Sequence, residues 1–205
     1  MARITLWLFR PFDLLTGRQV LLPGMAGLLL TALLAAATGL QTDGVLSLHF
    51  LAESGPVRLV GQALINWLTL AICLLVAGRW LTDGPFRAID LIGAQALARW
   101  PLLLSVLYLA FPPTGERIRQ LTADLIAAMP SQPGQVMADA VYMADAFILT
   151  AFGLPLLAVL VWMVWLMFHG YSSVTGLTGP HAVFSFAGSL IVAHFVSQGL
   201  SFLLP

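Results

Sequence analysis

Arg99 poses the sharpest chemical question in this chain. It lies inside a long apolar stretch, with Arg87 and Asp90 where the stretch begins, Gln95 four residues before it and Pro101 two residues after it. An arginine at the centre of a lone membrane span costs about 2.5–3.5 kcal/mol, so it needs a polar partner or access to headgroups. Asp90 is a poor partner within one helix: nine residues at about 100° each turn it to the opposite face, some 13–14 Å away along the axis. Gln95 shares the face of Arg99. A carbonyl freed by Pro101, or a polar group on another span, would also serve. The expectation adopted is that residues 86–98 form a tilted, half-inserted helix and that Arg99 snorkels to the headgroups.

Two further polar rows have helical spacing. Gln62, Asn66, Thr69 and Cys73 follow one another at steps of four, three and four, which is one face of a helix. His194, Gln198 and Ser201 do the same at steps of four and three, whereas Ser185 and Ser189 share another face. Such side chains act as interhelical hydrogen-bonding groups worth about 0.6–2 kcal/mol each; the sharper alternative is the wall of a polar pathway containing Arg99, Asn66, Gln62 and His194. His169 and His181 flank a glycine-rich linker without a carboxylate or cysteine beside them, so no metal or haem is expected. There is no H-E-x-x-H, no G-x-S-x-G and no Walker-type loop. No catalytic residue and no cofactor are assigned, and the chain is read as a non-enzyme.

The elements that must hold these residues are five apolar stretches, at 20–40, 57–81, 88–111, 146–168 and 182–204. Each reaches the roughly 20 residues needed to cross a bilayer as a helix. Hydrophobic residues make up 60% of the chain and charged ones 9%, too apolar a balance for a soluble fold. Nine arginines balance nine carboxylates without a lysine or a basic run, which argues against nucleic acid as a partner. The lone Cys73 excludes an intrachain disulfide.

The stretch 20–40 could be a signal peptide ending at Ala35-Ala36-Ala37, but it starts late and continues to Leu40, so it is read as a retained span. Residues 1–19 mix Leu6, Trp7 and Phe9 with Arg3, Arg10 and Arg18, as suits a segment in the headgroup layer. Residues 115–129 carry Ile118, Leu121, Leu125, Ile126 and Met129 on one helical face, and this amphipathic helix is expected to lie on the membrane surface. Trp162 and Trp165 read as an aromatic belt near the end of the fourth span. A cytoplasmic N-terminus places Arg3, Arg10, Arg18, Arg79 and Arg87 inside and Arg58, Arg117 and Arg119 outside, a modest bias that puts the C-terminus on the opposite side.

Four pieces of this pattern resemble the Yip1 family of five-span membrane proteins. They are Arg10-Pro11-Phe12 before the first span, Gly84-Pro85-Phe86 leading into the third, Ala96–Arg99 running into Trp100-Pro101, and the tail from Trp162 through Gly170, Gly176-Leu177 and His181-Ala182. The resemblance covers almost the whole sequence through short motifs and fits a compact, bacterial-type member. It implies a cytoplasmic N-terminus and no catalytic residues. Eukaryotic members bind Rab-type GTPases through an extended N-terminal region; only about twenty residues precede the first span here, so GTPase binding is not carried over.

The fold class expected is therefore all-α, a single polytopic transmembrane bundle of five spans with amphipathic interfacial helices. The expected location is the cell membrane. The expected role is organising lipid or partner proteins, with the bilayer, a membrane-protein partner or a second copy of the chain as partners. Ala35 and Gly39, four apart, suit close helix contact. The alternative is a small transporter or permeation subunit.

Overall fold

A computed structural model of the chain describes residues 8–15, 17–38, 40–41, 44–46, 49–50, 55–82, 84–111, 115–118, 120–121, 123–124 and 140–204. A 3-10 turn at Pro11–Asp13 precedes helix α1 (Arg18–Thr38). A two-residue antiparallel ladder, β1 (Leu40–Gln41) with β2 (His49–Phe50), pairs Leu40 with Phe50 in the linker before α2 (Pro56–Leu81). Helices α3 (Ala88–Leu97) and α4 (Pro101–Ala110) follow, then α5 (Ala140–Thr175) and α6 (Gly179–Ser201). Five helical segments are long and apolar enough to cross a membrane: Arg18–Ala37, Pro56–Leu81, Ala88–Ala110, Gly153–Thr175 and Gly179–Ser201. The chain is an all-α, multi-pass membrane protein.

The spans alternate in direction. At one end, which we call the near end, Phe12 rests on Gly170 and Gly17 lies beside Asp90, while Gly78 sits between Phe86 and Thr175. At the far end Gly61 meets Leu204, and Ala35, Leu59, Val106, Leu109 and Ile118 form one cluster. Leu70, Leu74, Leu91, Met163, Leu166 and Met167 are fully buried between the helices. Leu22 and Leu33 of α1, Ile72 of α2, Leu107 of α4, Val161 of α5 and Phe195 of α6 face outward. Lipid is as apolar as these side chains, so close packing and polar contacts hold the helices together.

The tightest packing is between α1 and α3. A methyl group on Gly24 would stand 2.5 Å from the Leu97 nitrogen, and one on Gly93 would stand 3.1 Å from the Leu21 nitrogen. Gly24 is therefore required for the two backbones to come this close, and Gly93 leaves a methyl group little room.

Four expectations change. The fourth span continues to Thr175, seven residues past 168, and the linker shrinks to 176–178. Gly170, Ser172 and Ser173 read as loop residues, yet Gly170 fits against the Ala94 methyl, and the Thr175 hydroxyl donates to the Tyr171 carbonyl at 2.7 Å. Gly176, at φ 72°, supplies the left-handed residue that ends the helix. Trp162 consequently stands well inside the bundle rather than in a belt at its edge. Its indole donates to the Leu8 carbonyl at 3.2 Å and meets the Trp100 ring edge-on.

That contact also relocates the N-terminal segment. Phe12 and Asp13 lie by His169, while Leu8 and Phe9 lie by Trp162, seven residues or about 10 Å lower on α5. The described part of the segment descends along α5 instead of lying flat in the headgroup layer; residues 1–7 lie outside the described residues. Helical residues within 115–124 keep the expected amphipathic faces, with Glu116 and Arg117 exposed and Ile118 and Leu121 buried. The Ile118 side packs on the far end of the bundle, so protein covers it rather than lipid. Leu125, Ile126, Met129 and Gly39 lie outside the described residues.

Candidate functional site: a buried polar layer and the near-end cluster

The third span breaks where its arginine stands. Pro101 has no N–H to give Leu97, and the chain responds with a tight turn in which Trp100 donates to the Leu97 carbonyl at 3.0 Å. Leu102 and Leu103 likewise donate three residues back, to Arg99 and Trp100. The carbonyl released by proline is thus recaptured locally and is not what receives Arg99.

Arg99 occupies the midpoint of the span Ala88–Ala110, about 16 Å from either end by helical rise. It is only 5% exposed, and its Nη2 donates 2.8 Å to the Asn66 carbonyl of α2. The snorkelling expectation is corrected: the guanidinium turns into the bundle and takes a main-chain acceptor on a neighbouring span. Trp67, the residue next to Asn66, donates from its indole to the Ile92 carbonyl at 3.0 Å, so α2 and the third span are joined in both directions.

Gln95 is completely buried and donates to the Met167 carbonyl of α5 at 3.0 Å. It ties the third span to α5 rather than serving as the partner of Arg99. Gln62, Asn66 and Thr69 are buried on one face of α2, as their spacing requires, and Cys73 on the same row is partly buried. Gln62 Oε1, Gln95 Oε1, Arg99 Nε, Ser105 Oγ and Ser201 Oγ are shielded from solvent and have no hydrogen-bond partner among the described residues.

The second polar row stays separate. His194 and Gln198 are half-buried on α6; the His194 carbonyl accepts from Ser197 and its ring meets Phe195 edge-on. No hydrogen bond joins either residue to Arg99 among the described residues. On another face of α6, Ser189 donates to the Cys73 carbonyl at 3.5 Å and Ser185 pairs with the Tyr171 hydroxyl at 3.0 Å. Asp90 is half-buried at the near end by Gly17, as its distance along the helix demanded.

Sequence reading missed the near-end cluster. His169 does not flank the linker; it stands within α5, where its Nδ1 pairs with the Ser173 hydroxyl at 2.8 Å and its Nε2 lies 3.8 Å from Asp13 Oδ1. The i, i+4 spacing of His169 and Ser173 was the available signal, hidden because those residues were assigned to a loop. Among the described residues no group of three or more His, Cys, Asp or Glu is arranged to hold a metal ion. No family model, no curated protein and no solved structure matches this chain.

Proposed function

We propose that this protein is a non-enzymatic, Yip1-like membrane protein that organises lipid or partner proteins, with its N-terminus on the cytoplasmic side of the cell membrane. The observation that carries this reading is the use made of polar side chains inside the spans. Arg99, Gln95 and Trp67 each donate to a main-chain carbonyl of another span, which turns the polar layer into a set of fasteners. The outward faces of the same helices are apolar and suited to lipid or to another apolar helix. A permeation role would instead be served by polar groups left free along a continuous path.

One observation favours that second reading. Several buried polar atoms, among them Gln62 Oε1, Ser105 Oγ and Ser201 Oγ, lack partners among the described residues and are suited to ordered water. Cysteine-accessibility labelling separates the two. In a Cys73→Ala background, cysteines at Asn66 and His194 are expected to stay protected from membrane-impermeant reagents in intact membranes. Rapid labelling at both sites would overturn the organising role and establish an aqueous path. Purification in mild detergent, with identification of bound proteins and lipids, then tests for the partner.

A further inference from the structure

Near the ends of α1, α3 and α5 at the near end lies a partly open cavity of about 380 Å³. Phe12, Val20 and Val174 supply apolar wall, and Arg87, Asp90 and Ser173 supply polar wall. Asp90 Oδ1 is shielded from solvent yet accepts no hydrogen bond among the described residues, an expensive condition for a carboxylate oxygen. The Arg87 side chain, three residues earlier, has no hydrogen bond or ion pair among the described residues and does not pair with Asp90. Arg87 precedes the first turn of α3 with extended backbone angles (φ −85°, ψ 123°), and Asp90 lies within that turn. Opposite charges held beside one cavity, without neutralising each other, fit a ligand that carries both signs.

We propose that this cavity binds the headgroup of a phosphoethanolamine phospholipid, with the ammonium on Asp90 and the phosphate on Arg87. The N–C–C–O–P chain of that headgroup separates its two charges by a few bonds, in keeping with two residues three apart in sequence that line one cavity. A primary ammonium brings three donors for an unpaired carboxylate oxygen, whereas a quaternary choline brings none and favours aromatic faces. Of the two rings that line the cavity, Phe86 is already covered by the Arg79 guanidinium at 4.7 Å and Phe12 is packed against Gly170. The same headgroup chemistry exists in soluble phosphoethanolamine. The lipid is favoured because the apolar wall, including Val20 and Val174, comes from the ends of membrane-crossing helices. This inference rests on the lipid-organising half of the proposed function.

The test follows the thermal unfolding midpoint of the purified, delipidated full chain in detergent as dioleoyl lipids are titrated. Phosphatidylethanolamine is expected to raise the midpoint by about 5 °C near saturation, and phosphatidylcholine by less than half as much. Asp90→Asn should abolish that preference and Asp90→Glu should retain part of it, whereas Arg87→Gln, which loses the contact to the phosphate that both lipids share, should reduce both shifts. Equal shifts with the two lipids, or undiminished shifts in Arg87→Gln, would overturn the site. Arg87 is exposed, so its replacement leaves the fold intact and decides the matter even if Asp90→Asn fails to fold. Soluble phosphoethanolamine at millimolar concentration should leave the midpoint unchanged; a shift equal to the lipid's would overturn the assignment to lipid. Aqueous labelling at Asn66 and His194 would sink the organising role while leaving this lipid preference standing, so the two failures are distinguishable.

Discussion

Arg99 donates one short hydrogen bond to a neutral carbonyl, and that arrangement determines what its replacement does. The charge is costly to bury, whereas the volume of its side chain is needed. Arg99→Met, which keeps the volume and removes the charge, is expected to leave thermal stability unchanged or slightly higher. Arg99→Ala opens a void and should cost about 2–4 kcal/mol, read from unfolding in detergent. The reverse order would show that the charge itself is required. Trp162 has a similar local role: Trp162→Phe keeps the ring packing but loses the bond to the Leu8 carbonyl. Faster hydrogen exchange at residues 8–13, with exchange in α6 unchanged, is the expected result. At this scale the sequence revealed which residues turn inward, because Gln62, Asn66 and Thr69 follow helical spacing. It did not reveal acceptors: Arg99 and Gln95 bond to main-chain carbonyls, and every residue carries one of those.

The α1–α3 crossing is the element-level counterpart of these bonds. Gly24→Ala should cost about 1–3 kcal/mol, since its methyl would meet the backbone at Ala96 and Leu97. Gly27→Ala, on the same helix with nothing within 4 Å, should be neutral or stabilise by up to about 1 kcal/mol. Similar losses for both would mean that α1 does not meet α3 through Gly24. The glycines that matter could not be chosen from the sequence, because both belong to one apolar helix and differ only in what faces them. The end of α5 was obscured for a related reason. Gly170, Ser172 and Ser173 carry turn chemistry in water, but inside a bundle a neighbouring methyl and local hydroxyl bonds make helix equally acceptable. The interruption of the third span was signalled in advance by Pro101; its depth was not.

For the whole molecule, the alternating spans bring Gly17, just before α1, and Leu204, just after α6, to opposite ends of the bundle. Combined with the arginine distribution, this predicts that a phosphatase reporter fused after residue 205 is active and a cytoplasmic fluorescent reporter dark; the opposite pattern would invert the assigned orientation. Five spans were legible because length and apolarity are properties of the chain alone. The contact of residues 115–124 with the bundle was not legible, since one amphipathic face suits lipid and protein equally.

The broken third span also bears on how the polypeptide is made. It has the lowest mean hydropathy of the five, and its arginine depends on an acceptor supplied by an earlier helix. Its release from the translocon therefore favours a partner that has already been synthesised and is waiting beside the exit. In such an order of insertion the first hairpin would act as a template on which the later, less lipophilic segment is received.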